Sequence, residues 1–260
     1  MIAITRDVSP SIARAELTHL DRVPIDYERA RAQHEVYRAL LQSLGCHVIS
    51  LPASVAYPDC VFIEDTAVVL DDMAVITRPG AESRRGEVAV VEDTLAGYRP
   101  LVRIEAPATL DGGDVLVLRD RIYVGSSSRT NDAAVSQLRS LTGREVVRVD
   151  VHGALHLKTA VTRVADDTLL INREWVDVAP FAEWKLIDAV EPFGANAVRI
   201  GDVLIYPAAF TETRARLEAH GLDVRTVDAD ELAKAEGGVT CCSLLLAPVP
   251  SPRFAGRGLG

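Results

Sequence analysis

A strand hairpin, a helix and a closing strand recur along this chain about every 45 residues, and no other feature constrains the fold as strongly. In the first clear copy, apolar residues 66–70 and 74–77 flank the turn Asp71-Asp72, a pattern typical of two strands joined as a hairpin. A helix over residues 83–98 and a strand at 101–104 complete the copy. Repeats of this length predict a propeller or array in which each unit buries its apolar face against its neighbours.

The remaining copies follow the same order of elements. The second has strands at 115–118 and 122–124, a helix at 131–141 and a strand at 146–149. The third has strands at 159–164 and 169–172, a helical stretch near 181–190 and a strand at 197–200. The fourth is shorter, with a strand at 203–206, a helix at 212–220 and a strand at 224–227. The fifth begins at Cys241 and borrows the N-terminal strand 1–5, helix 27–44 and strand 48–51.

Four polar residues occupy comparable positions in these copies, each near the start of a hairpin's first strand. Asp65 and Asp111 are 46 residues apart, His156 follows 45 residues later, and Cys241 lies 85 residues beyond, about two repeats. If the units close around an axis, comparable positions converge on it. The spacing therefore predicts a thiol, an imidazole and carboxylates at one site.

Cys241 is the leading candidate for a nucleophile. It follows the pair Gly237-Gly238, which lets the backbone approach a ligand closely, and it opens an apolar run that is typical of a buried strand. The alternative is that Cys241 and Cys242 are two small residues at the start of a core strand.

A thiol needs a base or a cation to become a thiolate, and His156 is the available partner, with His152 as its competitor. Asp111 is the candidate that orients the imidazole. For Asp111 the alternative is a glycine-rich turn capped by Asp114.

Three carboxylates, Asp59, Glu64 and Asp65, flank the apolar stretch at residues 61–63. Acids beside a buried strand are costly unless paired, so they indicate a bound cation, an internal Arg or Lys, or a metal. A planar guanidinium fits paired carboxylates well. A metal held by these three acids and His156 is the competing interpretation, although no tight ligand spacing supports it.

Composition narrows the partners and the setting. The chain has 28 Lys and Arg against 37 Asp and Glu, a formal charge of −9, and no long basic cluster, which argues against nucleic acid and favours a small cationic ligand. No apolar run approaches a membrane span, and the N-terminus lacks a secretory pattern, so we expect a cytoplasmic protein with four reduced cysteines. We expect one α/β domain over residues 1–247 and a flexible tail over 248–260.

Several motifs together resemble one known family. They are residues 58–65 (PDCVFIED), 76–81 (ITRPGA), 83–85 (SRR), 108–116 (ATLDGGDVL), 129–131 (RTN), 155–158 (LHLK) and 240–243 (TCCS). On these residues the chain is similar to the dimethylarginine dimethylaminohydrolases of the pentein, or guanidino-group modifying, superfamily. The resemblance is close over 34–160 and 232–247, whereas between 164 and 229 only the order of elements matches.

The resemblance implies a five-bladed α/β propeller of pseudo-repeats around a central active-site channel, and it implies a role for each matching residue. The catalytic set would be Cys241 as nucleophile, His156 as general acid and base, and Asp111 as the residue that holds the histidine. The guanidinium end of the substrate would meet Asp59, Phe62, Glu64 and Asp65. The α-carboxylate would pair with Arg84 and Arg129, and the amino-acid end would also meet Leu17 in a lid and the segment Ala235-Glu236.

The activity implied by the resemblance is hydrolysis of N-methylated L-arginine to L-citrulline and an amine, through a covalent cysteine intermediate and without a metal or organic cofactor. The pair Ala235-Glu236 departs from the apolar residue and Asp of relatives, which leaves the choice of substrate open. An arginine or agmatine deiminase is a same-fold alternative, and a non-enzymatic pentein-like binding module is an alternative of another class. The expected partner is a small cationic amino acid, and the expected assembly is a monomer or a homodimer.

Overall fold

Fifteen strands form five three-stranded sheets in the computed structural model, which describes residues 1–247. The tail expected at residues 248–260 lies outside the described residues. In chain order the strands are β1 (Ile2–Arg6), β2 (His47–Leu51), β3 (Ala67–Val69), β4 (Ala74–Ile76), β5 (Leu101–Arg103), β6 (Val115–Leu118), β7 (Arg121–Ser126), β8 (Glu145–Asp150), β9 (Val161–Arg163), β10 (Thr168–Ile171), β11 (Lys185–Asp188), β12 (Val198–Ile200), β13 (Val203–Pro207), β14 (Asp223–Val227) and β15 (Leu244–Leu246).

All five sheets share one internal order. The first strand is antiparallel to the second, and the second is parallel to the third, in the triplets β3-β4-β5, β6-β7-β8, β9-β10-β11 and β12-β13-β14. In the fifth sheet β15 is antiparallel to β1, and β1 is parallel to β2. That sheet therefore joins two distant parts of the chain, as the repeat predicts.

Residues 1–247 contain six α-helices: α1 (Tyr27–Ser43), α2 (Val88–Leu95), α3 (Asp132–Thr142), α4 (Leu157–Ala160), α5 (Thr211–Ala219) and α6 (Asp230–Ala233). Four of them, α1, α2, α3 and α5, form the crossover that the parallel strands of a blade require, whereas α4 and α6 lie between blades. The side chain of Asp26 accepts a hydrogen bond from the Arg29 amide at the start of α1, and Asn131 caps α3 in the same way through the Ala134 amide. Within residues 1–247, every helix is too short or too polar to cross a lipid bilayer.

The first strands of the five sheets surround a shared cavity of ≈ 240 Å³, which we call the axial cavity. Its walls include residues of β3, β6, β9, β12 and β15, and Glu64 and Lys158 also line it. Because one strand of each sheet lines the same space, the sheets are arranged as blades around an axis. The predicted five-bladed α/β propeller is confirmed.

Apolar side chains fill the contacts between neighbouring blades. Val75 of β4, Ile122 of β7 and Leu138 of α3 are all buried in one such cluster. Each blade thus buries its apolar face on the next, and burial of this kind is the main favourable contribution to folding.

The third blade differs from its prediction. The expected helix at 181–190 is wrong, because this stretch contains only the 3-10 helix Ala179–Phe181 and then β11, which closes the third sheet. The strand near 197–200 belongs to the fourth sheet as β12. Bulky Phe181 and Trp184 pack in the cluster over β9 and β10, so a single turn covers this sheet where other blades use a helix.

The helix predicted at 83–98 is shorter than expected. Residues Glu82–Glu87 form a 3-10 helix, and α2 starts only at Val88. The tight segment places Arg84 inward, where its side chain is only 4% exposed.

Candidate active site

Cys241 lies in the 3-10 helix Thr240–Cys242, directly before β15. Its thiol is buried, and its Sγ accepts a hydrogen bond from the Gly238 amide at 3.3 Å. Cys242 is buried as well, and its Sγ donates to the Gly238 carbonyl at 3.5 Å. Of the two thiols, only that of Cys241 lines the small cavity described below.

The glycine before this helix is required by a neighbouring ring. A β-carbon on Gly237 would lie 2.1 Å from Phe62 Cε1, which no side chain can occupy. The backbone at Gly237 therefore packs closely against the ring of Phe62.

His156 is buried immediately before α4 and is held by Asp111. Its Nε2 lies 3.1 Å from Asp111 Oδ2, and the other carboxylate oxygen of Asp111 accepts a hydrogen bond from the Gly80 amide at 2.8 Å. Asp111 is fully buried, so this contact is shielded from water. The competitor His152 is exposed and contributes a backbone bond to Trp175 instead.

Asp65 approaches the same imidazole from its other nitrogen, with Oδ1 3.7 Å from His156 Nδ1. The Gly113 amide donates to Asp65 Oδ1 at 3.0 Å, and Arg84 Nη1 pairs with Oδ2 at 2.6 Å. Two carboxylates thus flank one imidazole, as the repeat spacing predicts.

This arrangement sets the charge of the histidine. Burial by itself would lower the pKa of His156, but the charge of Asp65 and the hydrogen bond to Asp111 raise that pKa to about 9. In turn, His156 and Arg84 outweigh the effect of burial on Asp65 and lower its pKa to about 2. At neutral pH the pair is an imidazolium beside a carboxylate.

The surroundings of the Cys241 thiol favour its uncharged form, in contrast to those of His156. Burial raises the pKa of Cys241 to about 12, and the nearby Glu64 and Asp65 charges act in the same sense. The thiol is therefore protonated in this state, and a cation placed beside it would lower its pKa.

Of the other acids, Asp59 lines the small cavity, whereas Glu64 does not. Asp59 accepts the Glu16 amide on both carboxylate oxygens at 3.2 Å. Glu64 Oε1 pairs with Lys158 Nζ at 2.5 Å, and the residue lines the axial cavity. Lys158 thus holds the Glu64 carboxylate on the axial side in this structure, and a contact of Glu64 with a ligand stays a prediction.

The two arginines, Arg84 and Arg129, differ in whether protein carboxylates already pair with them. Arg84 is paired with Asp65 and with Glu87 at 2.9 Å, and it also donates to the Phe62 carbonyl. Arg129 also lines the small cavity, and its Nη2 donates to Thr18 Oγ1 at 3.0 Å. Arg84 is thus neutralised by protein carboxylates, whereas Arg129 forms no salt bridge among the described residues, and binding of a carboxylate by these two arginines stays a prediction.

The segment 16–20, which we call the lid segment, is tied down across the site. Glu236 Oε1 accepts hydrogen bonds from the amides of Thr18, His19 and Leu20 at 3.0, 2.6 and 2.7 Å. Glu236 has φ of +60°, an unfavourable region for a residue other than glycine. Leu17 lies within this segment and is half-buried, but it does not line the small cavity.

A small cavity of ≈ 10 Å³, about the space of one water molecule, remains beneath the lid segment. Most of the candidate site residues line it: Asp59, Phe62, Asp65, Arg84, Arg129, His156, Ala235, Glu236 and Cys241. Glu236 and Gly237 also border a larger cavity of ≈ 750 Å³. An amino acid exceeds the small cavity, so binding one requires residues around it to move apart.

A metal site is not favoured by these contacts. Among residues 1–247, Asp65, Asp111 and His156 form the one group of three potential ligands within 4.8 Å. Asp65 is already paired with Arg84, and Asp111 with His156. Asp59 and Glu64, which the competing interpretation required, lie outside the group.

Sequence reasoning missed Lys158 and underestimated Asp114. Lys158 stands two residues after His156, in a motif that marks the family, but its pairing with Glu64 spans 94 residues of sequence. Asp114 was expected at most to cap a turn, yet it is fully buried and accepts three hydrogen bonds, from the hydroxyls of Ser127 and Thr130 and from the Leu157 amide.

Comparison with known proteins gives a consistent result. A family model described as "N,N dimethylarginine dimethylhydrolase, eukaryotic" matches residues 19–246. The chain is 40% identical over 249 residues to the N(G),N(G)-dimethylarginine dimethylaminohydrolase of Streptomyces coelicolor, which covers 94% of this chain and 96% of the relative. It is 36% identical over 228 residues to the enzyme of that name from Pseudomonas aeruginosa, covering 84% and 89% of the two chains.

A solved structure is also similar. DDAH from Pseudomonas aeruginosa, as a cysteine-to-serine mutant complexed with citrulline, superposes with a TM-score of 0.88 at 33% identity. The match covers 93% of this chain and 97% of that one.

Proposed function

The chain belongs to the dimethylarginine dimethylaminohydrolase family, and on this premise we propose that it hydrolyses N-methylated L-arginine to L-citrulline. The substrates would be asymmetric dimethylarginine and monomethylarginine, and the second products dimethylamine and methylamine. One observation carries the proposal: Cys241, His156 and Asp65 line one cavity, and His156 is bound to Asp111.

Binding of the substrate follows from the charges around that cavity. Asp65 and Asp59 would hold the guanidinium against Phe62, and Arg129 would pair with the α-carboxylate. Arg84 would act mainly by fixing Asp65, and Glu64 through Lys158. Leu17, Ala235 and Glu236 would enclose the amino-acid end once the lid segment closes.

The substrate would also activate the nucleophile. A guanidinium beside Cys241 offsets the negative field of Asp65 and Glu64, which together with burial keeps the thiol protonated. Cys241 and Asp65 are buried, so charges placed beside them interact more strongly than they would in water. With the cation bound, the thiol gives its proton to a water molecule that carries it to solvent, and only then does the thiolate form.

The chemical steps use one acid and one nucleophile. The Cys241 thiolate attacks the guanidinium carbon, and His156, as an imidazolium, gives a proton to the departing amine while its C–N bond breaks. The product is a covalent thiouronium. The neutral imidazole then takes a proton from water, and the resulting hydroxide adds to the same carbon. The C–S bond breaks to restore the thiolate and release protonated citrulline, which gives its extra proton to solvent, where the released amine takes one up. Nε2 is committed to Asp111, so Nδ1 is the nitrogen that exchanges protons.

We also infer the setting of the activity. Residues 1–247 would act as one catalytic domain, in the cytoplasm, as a monomer or a homodimer. All four cysteines are unpaired in the structure, which supports a reducing compartment. The proposed chemistry requires no metal or organic cofactor.

Product analysis tests the proposal. The purified protein is incubated with asymmetric dimethylarginine, monomethylarginine or arginine, and citrulline and the released amine are both quantified. We expect citrulline with an equal amount of dimethylamine or methylamine from the methylated substrates. Release of ammonia from arginine as the main reaction would favour the deiminase alternative, and inactivity on all three compounds would favour the binding module.

A further inference from the structure

Asp114 connects three separate segments of the candidate site. It is fully buried, and each of its carboxylate oxygens accepts hydrogen bonds from the protein. Oδ1 accepts the Leu157 amide at 3.0 Å, and Oδ2 accepts the hydroxyls of Ser127 at 2.5 Å and Thr130 at 2.6 Å.

Each of these three donors is connected to a residue of the candidate site, either as its neighbour in the chain or through a second hydrogen bond. Leu157 directly follows His156 in the chain, so its amide fixes the backbone that carries the imidazole. The Thr130 hydroxyl oxygen also accepts a hydrogen bond from the Asp111 amide at 3.2 Å. The Ser127 hydroxyl oxygen accepts one from the Arg129 amide at 3.0 Å.

We propose that Asp114 is a positioning residue that sets His156, Asp111 and Arg129 relative to one another through Leu157, Thr130 and Ser127. The inference rests on the proposed function for its kinetic consequences. Two of the links lead to the acid-base pair and one leads to the arginine that would hold the α-carboxylate. A positioning residue of this kind acts through its neighbours, and displacements of about 1 Å at a reacting group cost roughly 100-fold in rate.

Removing each link is expected to change kcat and KM in a different way. A general loss of stability would not produce these separate effects. Thr130→Val removes the support of Asp111, and we expect kcat to fall about tenfold with KM within about twofold of wild type. Ser127→Ala removes the support of Arg129, and we expect KM to rise about tenfold with kcat within about twofold. Asp114→Asn weakens all three links and is expected to change both constants.

A matched control is available in the fourth blade. Glu191 likewise accepts three hydrogen bonds, from the Glu212 amide and from the amide and hydroxyl of Thr213, and none of these donors lines the candidate site. Glu191→Gln is expected to leave kcat and KM unchanged, even where it lowers the melting temperature. All variants are assayed well below their melting temperatures.

A second measurement does not depend on turnover. The titration of the His156 imidazole is followed by NMR, with the signal assigned by its loss in His156→Gln. Asp114 is one of the carboxylates whose charge raises the pKa of His156, so Asp114→Asn is expected to lower that pKa, whereas Ser127→Ala leaves it unchanged.

The outcomes separate the two proposals. A wild-type protein without activity on any methylated arginine contradicts the proposed function, and the NMR titration then decides the role of Asp114 alone. If the Asp114, Ser127 and Thr130 variants all keep wild-type kinetics and an unchanged His156 titration, Asp114 has no positioning role. The same pattern of kcat and KM in Ser127→Ala and Thr130→Val would overturn the separate links.

Discussion

A β-carbon on Gly113 would lie 2.6 Å from Nδ1 of His156. It would also lie 2.7 Å from Asp65 Oδ1, the oxygen that accepts the Gly113 amide. The Gly-Gly turn after Asp111 therefore leaves space for the imidazole between two carboxylates.

This relationship predicts a large effect from one methyl group. Gly113→Ala must displace the ring or Asp65, and we expect kcat/KM to fall by about 100-fold or more, measured as citrulline formed from asymmetric dimethylarginine. Gly97→Ala is the control, because the nearest atom to its β-carbon is 3.6 Å away. Wild-type kinetics in Gly113→Ala would show that the site tolerates movement of the ring.

The raised pKa of His156 predicts how stability depends on pH. Its folded-state pKa of about 9 exceeds the ordinary value of 6.5, so the bound proton stabilises the native state. This contribution is fully present below about pH 6.5 and is lost as the pH rises through about 9. We expect the free energy of unfolding in urea to fall between pH 6.5 and pH 9.5 by on the order of 1–3 kcal/mol more in wild type than in His156→Gln. If the free energy of unfolding falls equally with pH in the two proteins, a group other than His156 is responsible for the pH dependence.

The two adjacent cysteines are expected to behave differently. Cys241→Ser should abolish citrulline formation and the covalent adduct detected by mass spectrometry, because a serine hydroxyl is a far weaker nucleophile in this site. Cys242→Ser should keep most of the activity, since that thiol does not line the cavity. Comparable losses in both variants would remove the assignment of the nucleophile.

Arg129 is expected to govern substrate affinity. Arg129→Ala should raise KM for asymmetric dimethylarginine about 100-fold with a smaller change in kcat, since the lost ion pair holds the non-reacting end of the substrate. Arg85→Ala is the control, because Arg85 forms a surface pair with Glu82 at 2.8 Å. A KM unchanged by Arg129→Ala would contradict a role in holding the carboxylate.

Glu236 is expected to control opening of the lid segment. Glu236→Gln replaces a charged acceptor of three amides by a neutral one, so hydrogen exchange at residues 18–20 should become about tenfold faster or more. Asp21→Asn is the control, because the Asp21 carboxylate lies in the same loop and accepts no hydrogen bond from residues 1–247. Equal exchange in the two variants would mean that other contacts close the lid.

Much of this site could be predicted because its residues follow the repeat. Asp65, Asp111, His156 and Cys241 take equivalent places in their blades, and the structure brings them together at one site. The helix predicted in the third blade was wrong, because aromatic side chains cover this sheet where other blades use a helix. This replacement of a helix by aromatic side chains cannot be recognised from the spacing of apolar residues in the sequence.

The partners of buried charges could not be predicted, since they depend on contacts between distant segments. Arg84 and Glu64 both seemed suited to a ligand by their types and motifs. In the folded chain, Asp65 and Glu87 neutralise the arginine, and Lys158 neutralises the glutamate. Only the packed structure decides which of several nearby charges is satisfied by protein and which remains for a substrate.

The pairing of β15 with β1 also fixes when the site can form during synthesis. A chain leaves the ribosome from its N-terminus, so β1 must wait without its antiparallel neighbour until the other four blades have emerged. Cys241 precedes β15 by three residues and arrives with it. The thiol proposed as the nucleophile is therefore synthesised after Asp65, Asp111 and His156, and it joins them together with the strand that closes the ring.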